Sequence, residues 1–504
     1  MNLTFNIIQI EYAHATGQKA KGSNNMKTIR DFIFTSTRVA AAGLLAAAAL
    51  ACGASGSDDG ATGSGTGDTG DIGEPPEVYA FEGRTGEGSV HYEGQTARFV
   101  RISDLEETIR GFTVIIDTYY SYGEGEVVGE LLALYQDGFA SFKETLDLPV
   151  LESAATELAP EATLQEKVAG NDPEGQYKDW EQDFVGWPGA SSPDDLVQRW
   201  FGSIEDLALA RGSGDPALGP DGSPIPVVHV SPEGHDYREL LSKFLLGAVA
   251  YSQATDDYLD DDLPGKGLLA DHADLAEGKP YTALEHHWDE AFGYFGAARD
   301  VLAYTDEEIA GKGGRDGWSG GYHDWNGDGF IDLTAEYNFS PAGYAAKRDL
   351  DSATGTDFTD AIVRAFLRGR HLLDQTDGPL SDAQFDALRA ERDIIVENWE
   401  KAMAASVVHY INETLADTDA LGTADYDFVT HAKHWSEMKG FALGLQFNPR
   451  KTISDADFAM LHDLLGDAPA LTTNAAGGYR DDLLAARDLL GTVYGFDAAD
   501  LEAW

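Results

Sequence analysis

The chain has a single cysteine, Cys52, among its 504 residues. With one thiol no intramolecular disulfide can form, and attachment of haem through a Cys-x-x-Cys-His motif is excluded. The sequence also has no Gly-Lys-Ser/Thr loop for phosphate. These absences exclude the P-loop nucleotide-binding proteins and the c-type cytochromes.

Basic residues are scarce. Lys and Arg number 35 against 87 Asp and Glu, which gives a formal net charge of −52. Such a surface repels nucleic acid, so we expect no nucleic-acid partner. It attracts cations, or it serves only to keep the protein soluble. Hydrophobic residues make up 43% of the chain, enough for a large buried core.

The setting of Cys52 is that of an export signal. From Met26 the chain has basic residues, an apolar run over 39–51 and Ala-Leu-Ala before Cys52, the order of a secretory signal. The cysteine resembles a bacterial lipoprotein processing site, which implies lipidation at Cys52 and anchoring to a membrane. Gly53 follows, which by the same resemblance implies the outer membrane of a Gram-negative cell. We interpret residues 1–25 as an extension or a misassigned start, and 26–51 as the signal peptide.

Beyond the cysteine, a tether precedes a helical region. Residues 52–78 are mostly Gly, Ser, Thr and Asp, which is typical of a flexible linker. Alternation around the turn "GRTGEG" predicts a short β-hairpin over 79–92, and Ser103-Asp104 is expected to cap the first helix. Most segments after that space apolar residues by three and four. The fold class predicted for 79–504 is mainly α: two related antiparallel helical bundles with a short N-terminal β-hairpin.

One combination of residues occurs twice in the sequence. "HHWDEAFGYF" begins at His286 and "KHWSEMKGFA" at Lys433, and both contain His-Trp-x-Glu-x-x-Gly. The two copies lie 147 positions apart (434 minus 287), as expected for matching positions in a duplicated bundle. Residues three apart share one face of a helix, so each histidine points the same way as its glutamate. The candidate metal ligands are His287, Glu290, His434 and Glu437, with His286 and Asp289 as second choices.

Two interpretations of this motif remain open. Imidazole and carboxylate together can ligate iron or another divalent transition metal. A carboxylate can equally hold a histidine in one tautomer within a packed core. His409 and Glu413 form a further helical pair at spacing four, which more often reflects hydrogen bonding than ligation.

"DWNGDGFIDLTAE", residues 324–336, predicts a calcium site. Oxygen donors recur at alternate positions, Gly329 permits a sharp turn, and Ile331 is expected to pack inward. The twelfth position, where a bidentate glutamate belongs, is Ala335, and a glutamate comes one place later. The alternative is a turn rich in Asp, Asn and Gly that binds no ion. The predicted ligands of Ca²⁺ are Asp324, Asn326, Asp328, the carbonyl of Phe330, Asp332 and Glu336.

Several segments carry a resemblance to a known family. "SVHYEGQTARFVRISDLE", "EHHWDEAFGYFG", "YAAKRDL", "VVHYINE" and "ARDLLGTVYGFD" resemble an uncharacterised family of bacterial lipoproteins of the imelysin-like group, over roughly 79–504. The resemblance implies a helical protein of two related bundles that is associated with iron uptake at the cell envelope. Of the family signature Gly-x-His-x-x-Glu, this sequence has His287 and Glu290, but Glu285 replaces the glycine.

The expected function is binding of iron, or of another metal or metal-containing ligand, as an accessory to uptake, with other envelope uptake proteins as partners. The alternative is a calcium-stabilised structural or adhesive surface protein without a transition-metal site. A metal-dependent peptidase is disfavoured, because the sequence has neither His-Glu-x-x-His nor its reversed form. The residues thus favour a protein that is not an enzyme.

Overall fold

Helices form the regular structure of the chain. The computed structural model describes residues 73–137, 158–159, 161–172 and 176–504, and no β-strand occurs among them. The predictions for the signal peptide, Cys52 and most of the tether lie outside the described residues. The α-helices are α1 (Glu93–Thr118), α2 (Glu126–Gln136), α3 (Trp180–Asp183), α4 (Pro193–Gly212), α5 (Tyr237–Leu245), α6 (Ala283–Phe295), α7 (Asp306–Ile309), α8 (Ser340–Asp351), α9 (Phe358–Asp374), α10 (Asp382–Ala420), α11 (Phe428–Gly444), α12 (Asp455–Leu465), α13 (Thr473–Tyr494) and α14 (Ala498–Ala503).

The predicted mainly α fold is confirmed. Helix starts follow local signals: Ser192 accepts a hydrogen bond from Asp195 N at the start of α4, and Thr282 and Glu285 form a capping box at the start of α6. The descent of the two halves from a duplicated bundle stays a prediction. No described helix combines the length and the apolar character that a membrane span requires.

The predicted N-terminal β-hairpin is wrong. One backbone bond, from Ser89 N to Phe81 O at 2.9 Å, joins the two segments, and a 3₁₀ turn over Gly83–Thr85 lies between them. Side-chain packing replaces strand pairing there. Tyr79 is fully buried and its ring stacks on Phe292 of α6, with the ring centroids 3.8 Å apart. The alternation of apolar residues therefore reflects contacts with a helix instead of a sheet.

The expected cap at Ser103-Asp104 is also wrong, because α1 begins ten residues earlier, at Glu93. Ser103 lies inside the helix, where its hydroxyl donates to the carbonyl of Phe99 at 3.2 Å. A serine within a helix can bond back to the preceding turn, so its presence does not require a helix start.

The longest helix organises the core. α10 has 39 residues, a length of about 60 Å, and packs against α9, α11 and α13. Trp399 lies at its buried centre and donates to Tyr344 Oη of α8. α11 also packs closely on α5, because Gly440 has no side chain: a Cβ there would stand 2.7 Å from Lys243 Cβ.

The chain leaves regular α-helix directly after α5. Two π-helical segments follow, Leu246–Tyr251 and Gln253–Tyr258. The second contains Asp256, a 2%-exposed carboxylate that accepts from Tyr177 N at 3.2 Å through either oxygen. Burial raises the pKa of Asp256 to about 8, and neighbouring aspartates such as Asp260 add to the rise.

A buried ion-pair network fixes the N-terminal segment to α6 and α9. Arg370 is fully buried and donates to Asp289 at 2.9 Å, to Glu285 at 3.1 Å and to Ser89 Oγ at 2.7 Å. Tyr79 donates to the same oxygen of Asp289 at 2.8 Å. One guanidinium therefore compensates two carboxylates that no solvent reaches.

Replacing Arg370 by alanine is expected to lower the free energy of unfolding by about 3–5 kcal/mol, because it leaves Asp289 and Glu285 buried without a cation. Denaturant unfolding measures the change. The matched control on the same helix is Arg364→Ala, whose exposed pair with Asp360 contributes about 0.5 kcal/mol or less. Equal losses in the two variants would contradict the central role of the Arg370 network.

Asp256→Asn is expected to stabilise the protein at pH 8. The folded-state pKa of Asp256, about 8, lies above its ordinary 3.8, so its contribution is fully present below pH 4 and is lost as the pH rises towards 8. The gain in melting temperature over the unmodified protein should therefore grow from pH 4 to pH 8. Asp117→Asn is the control for which a pH dependence of opposite sign is expected, because the hydrogen bond from Arg211 lowers the pKa of Asp117. A gain for Asp256→Asn that does not change with pH would refute this account.

Candidate functional site

The first copy of the doubled motif lies on α6, and its predicted couple is only loosely formed. His287 Nδ1 lies 3.3 Å from the carbonyl of Gly267, and burial lowers the pKa of this histidine. Glu290 instead accepts from Gln95 at 3.0 Å and lies 3.7 Å from His286 Nε2. The contact is therefore made at spacing four, between His286 and Glu290.

Asp289, a second-choice ligand, belongs to the core. It is fully buried, and its Oδ1 accepts from both Arg370 and Tyr79. Burial raises the pKa of Asp289 to about 6, against the opposing effect of Arg370. The structure therefore places this carboxylate in the ion-pair network of the fold.

In the second copy of the motif, on α11, the histidine and the glutamate contact different side chains. His434 Nδ1 lies 2.8 Å from Asp417 and 3.9 Å from Glu413, both on α10. Glu437, 4% exposed, accepts from Tyr410 Oη at 2.9 Å and lies 3.6 Å from Lys243 Nζ on α5. The two side chains of this predicted couple therefore have different partners: His434 contacts acids of α10, and Glu437 contacts Tyr410 of α10 and Lys243 of α5.

The tryptophans are the part of the motif with matching roles. Both are fully buried, and Trp288 donates to Phe366 O at 3.0 Å as Trp435 donates to Leu465 O at 3.2 Å. Among the described residues, no three His, Cys, Asp or Glu side chains are gathered so that they could hold a metal ion. The transition-metal assignment gains no support from the fold and stays a prediction.

The calcium-like loop is folded around its own amides. Asp324 accepts from the backbone of Gly327, Asp328 and Gly329 at 2.7–3.1 Å, and Asn326 accepts from Asp328 N at 2.8 Å. Gly329 has a φ of +89°, which confirms the predicted sharp turn. Ile331 is buried, as expected.

Glu336 closes the calcium-like loop. Its two oxygens accept from Trp325 N at 3.1 Å and from Asp332 N at 2.9 Å, and burial raises its pKa. Backbone pairing of Tyr322 with Tyr337 forms the stem below. The displaced glutamate therefore ties the two arms of the loop together. Occupancy by Ca²⁺ stays a prediction.

A cavity of about 300 Å³ lies where α5, α8, α10 and α11 meet the stem of this loop. Three cationic side chains and one carboxylate line it: Lys243, Lys347, Arg348 and Glu437. Gly320, Tyr337 and Phe339 form part of the wall on the loop side. Positive charge thus prevails in this cavity, in a chain whose net charge is −52.

Arg348 is the unusual member of the lining. It is 3% exposed, and its Nη2 lies 3.0 Å from Asp351. Its Nε and Nη1 are buried and have no hydrogen-bond partner among the described residues. Buried guanidinium groups are normally satisfied on most of their five donors, so two orphan donors mark a place for an acceptor.

Lys347 precedes Arg348 on α8 and is half-buried. Within the described residues its Nζ makes no hydrogen bond and no ion pair, so its charge is uncompensated by direct contact. Burial lowers the pKa of Lys347, and the cations Lys243, Lys312 and Arg348 lower it further.

Lys243 differs from Lys347 in having its own acids. Its Nζ lies 2.8 Å from Glu239 and 3.6 Å from Glu437. Burial opposes its charge, but Glu239 and Glu437 raise the pKa of Lys243 well above its ordinary value. Lys347 is therefore the lining cation with no acid in direct contact, and Arg348, paired with Asp351, keeps two unsatisfied donors.

Sequence reasoning found one residue of this cavity, Glu437, and missed the cations. Lys347 and Arg348 stand in "PAGYAAKRDL", directly after a stretch without charged residues. Two adjacent cations after such a stretch are a usable signal in a chain with only 35 basic residues.

One stretch of the chain is similar to a known family. Residues 222–310 match the family described as a domain of unknown function, DUF4856. That stretch includes α5, both π-helical segments and α6, and so contains the first copy of the doubled motif and Lys243. No curated protein and no solved structure matches the chain.

Calcium is expected to raise the melting temperature of the purified full chain relative to a chelator, because an ion that binds only the folded state stabilises it by mass action. At a calcium concentration 100 times Kd the gain is about 2.7 kcal/mol. Asp328→Ala should abolish the gain. Asp316→Ala, in the adjacent connection, should keep it. A melting temperature of the unmodified protein that does not respond to calcium would refute the calcium site.

Proposed function

We propose that the protein binds a small anionic ligand in the cavity between α5, α8, α10 and α11. The observation that carries the proposal is Arg348, a buried guanidinium with two donors that meet no acceptor in the described residues. Lys347 supplies a second charge without a direct partner.

The chemistry of the lining favours an anion over a cation or a neutral ligand. Among the lining residues, three cations face one carboxylate, and that carboxylate already interacts with Lys243 and Tyr410. Each unsatisfied N–H of a guanidinium can donate a charge-assisted hydrogen bond to an oxygen of a carboxylate or phosphate. A cavity of about 300 Å³ suits a ligand of modest size, such as a small organic acid.

The negative charge of the rest of the chain also affects how an anionic ligand can bind. A surface with a net charge of −52 repels anions at long range, so the short-range contacts in the cavity must provide the affinity. Lys347 and the unsatisfied donors of Arg348 would provide it, because the cost of their desolvation is already met in the folded protein.

The resemblance to imelysin-like proteins implies a role in iron uptake. That role is compatible with this proposal if the ligand is a negatively charged metal chelate. A bare metal ion would find no set of three protein ligands among the described residues. A negatively charged metal chelate, such as a ferric carboxylate complex, would bind through its carboxylates to Arg348 and Lys347. Export and lipid anchoring at Cys52 would place the binding protein at the cell envelope. The rival role, a calcium-stabilised structural or adhesive protein, stays a prediction.

Arg348→Met is expected to weaken binding of citrate by about 10- to 100-fold, since a hydrogen bond to a charged group contributes about 1.5–3 kcal/mol. Isothermal titration with citrate, ferric citrate and phosphate measures the change, with glycerol as the neutral ligand. The melting temperature of the ligand-free variant should stay the same or rise, because the variant removes a charge whose donors are unsatisfied.

Arg364→Met provides the matched control, since Arg364 forms an exposed pair with Asp360 on a neighbouring helix. Its binding should equal that of the unmodified protein. The proposal fails if none of the anions binds, or if Arg348→Met and Arg364→Met bind them equally well.

A further inference from the structure

We propose that Lys347 forms a reversible imine with the carbonyl group of a 2-oxo acid whose carboxylate is held by Arg348. The inference rests on the proposed anion site and names the ligand class for it. It adds a covalent step, which simple anion binding does not require.

The placement of Lys347 carries the inference. Lys347 and Arg348 are consecutive on α8 and both line the same cavity. Of the two lysines in the lining, Lys243 is held by Glu239 at 2.8 Å, and Lys347 makes no ion pair or hydrogen bond within the described residues. Its amine is therefore the one that is free to approach a bound ligand.

The surroundings of Lys347 ease the loss of the proton that its ammonium group must give up before it can attack a carbonyl carbon. Burial lowers its pKa, and Lys243, Lys312 and Arg348 lower it further, while Glu437 opposes them. Desolvation together with neighbouring cations is a recognised way to activate a lysine for imine formation. A charge-paired surface lysine lacks both effects.

The chemistry balances without an oxidant or a reductant. The nitrogen lone pair of Lys347 adds to the carbonyl carbon, and the carbonyl oxygen takes a proton to give a carbinolamine. Loss of the remaining proton from nitrogen and of the hydroxyl group as water leaves a carbon–nitrogen double bond. Hydrolysis reverses the step. Glu437 and Tyr410 line the same cavity and offer groups for these proton transfers.

Borohydride trapping tests the inference on the purified full chain. The protein is incubated with pyruvate, sodium borohydride is added to reduce any imine, and intact mass and peptide mapping locate the adduct. We expect one reduced pyruvate adduct, on the peptide that contains Lys347. Lactate, which has the carboxylate but no carbonyl group, should give no adduct and should slow the labelling by pyruvate.

Two variants and one control separate the possible results. Lys347→Arg keeps the positive charge, so it should bind pyruvate and give no adduct; Lys347→Met should give no adduct either. Lys401→Met, which removes a lysine paired with Glu397 on α10, should be labelled like the unmodified protein. Circular dichroism shows that each variant is folded.

The outcomes distinguish this inference from the proposed function. Pyruvate binding without a trapped adduct overturns the imine and leaves the anion site intact. Equal labelling of the unmodified protein and of Lys347→Met, or labelling spread over many lysines, also overturns it. If pyruvate neither binds nor is trapped, this inference fails; loss of citrate and phosphate binding as well would remove the anion site.

Discussion

Pairing of buried charges is the constraint on which the rest of this structure depends. An isolated charge in a protein interior costs several kcal/mol, so each interior cation needs an acid or a set of acceptors. Arg370 satisfies this rule with Asp289 and Glu285, and it thereby joins the N-terminal segment, α6 and α9. Lys243 satisfies it with Glu239 and Glu437. Lys347 has no such acid, and Arg348 keeps two donors without an acceptor beyond its pair with Asp351. This exception separates the candidate site from the structural core.

Much of the fold could be predicted from the sequence, because apolar spacing reports directly which segments bury one face of a helix. The segments around Trp288, Trp399 and Trp435 are helical and buried as that spacing indicates. The same reasoning failed at 79–92, where alternating apolar residues pack on α6. Alternation shows that side chains are buried on one side, but it does not show whether a strand or a helix provides the other side.

The candidate site could be predicted only in part, because it is made of residues from distant helices. Glu437 was found through the doubled motif, yet the spacing that pairs it with His434 on one helix does not reveal that Lys243 and Tyr410 lie opposite. For Lys347 and Arg348 the sequence shows two cations on α8, and it cannot show which acids come within reach. The identity and spacing of residues indicate which side chains one helix presents. Whether a buried charge finds a partner depends on how the helices pack together.

Buried cations with unsatisfied donors lower the stability of the ligand-free protein, and the same donors are available to bind a ligand. The folded chain without ligand carries the cost of Arg348's orphan donors, so an anion that satisfies them stabilises the folded state by mass action. That stabilisation follows from the dissociation constant that titration measures, and it grows with ligand concentration. The helices around the cavity can bear the cost because α10 and its neighbours bury large side chains elsewhere, Trp399 and Trp435 among them. Burial of such large side chains is thus the condition for keeping unsatisfied donors inside the core.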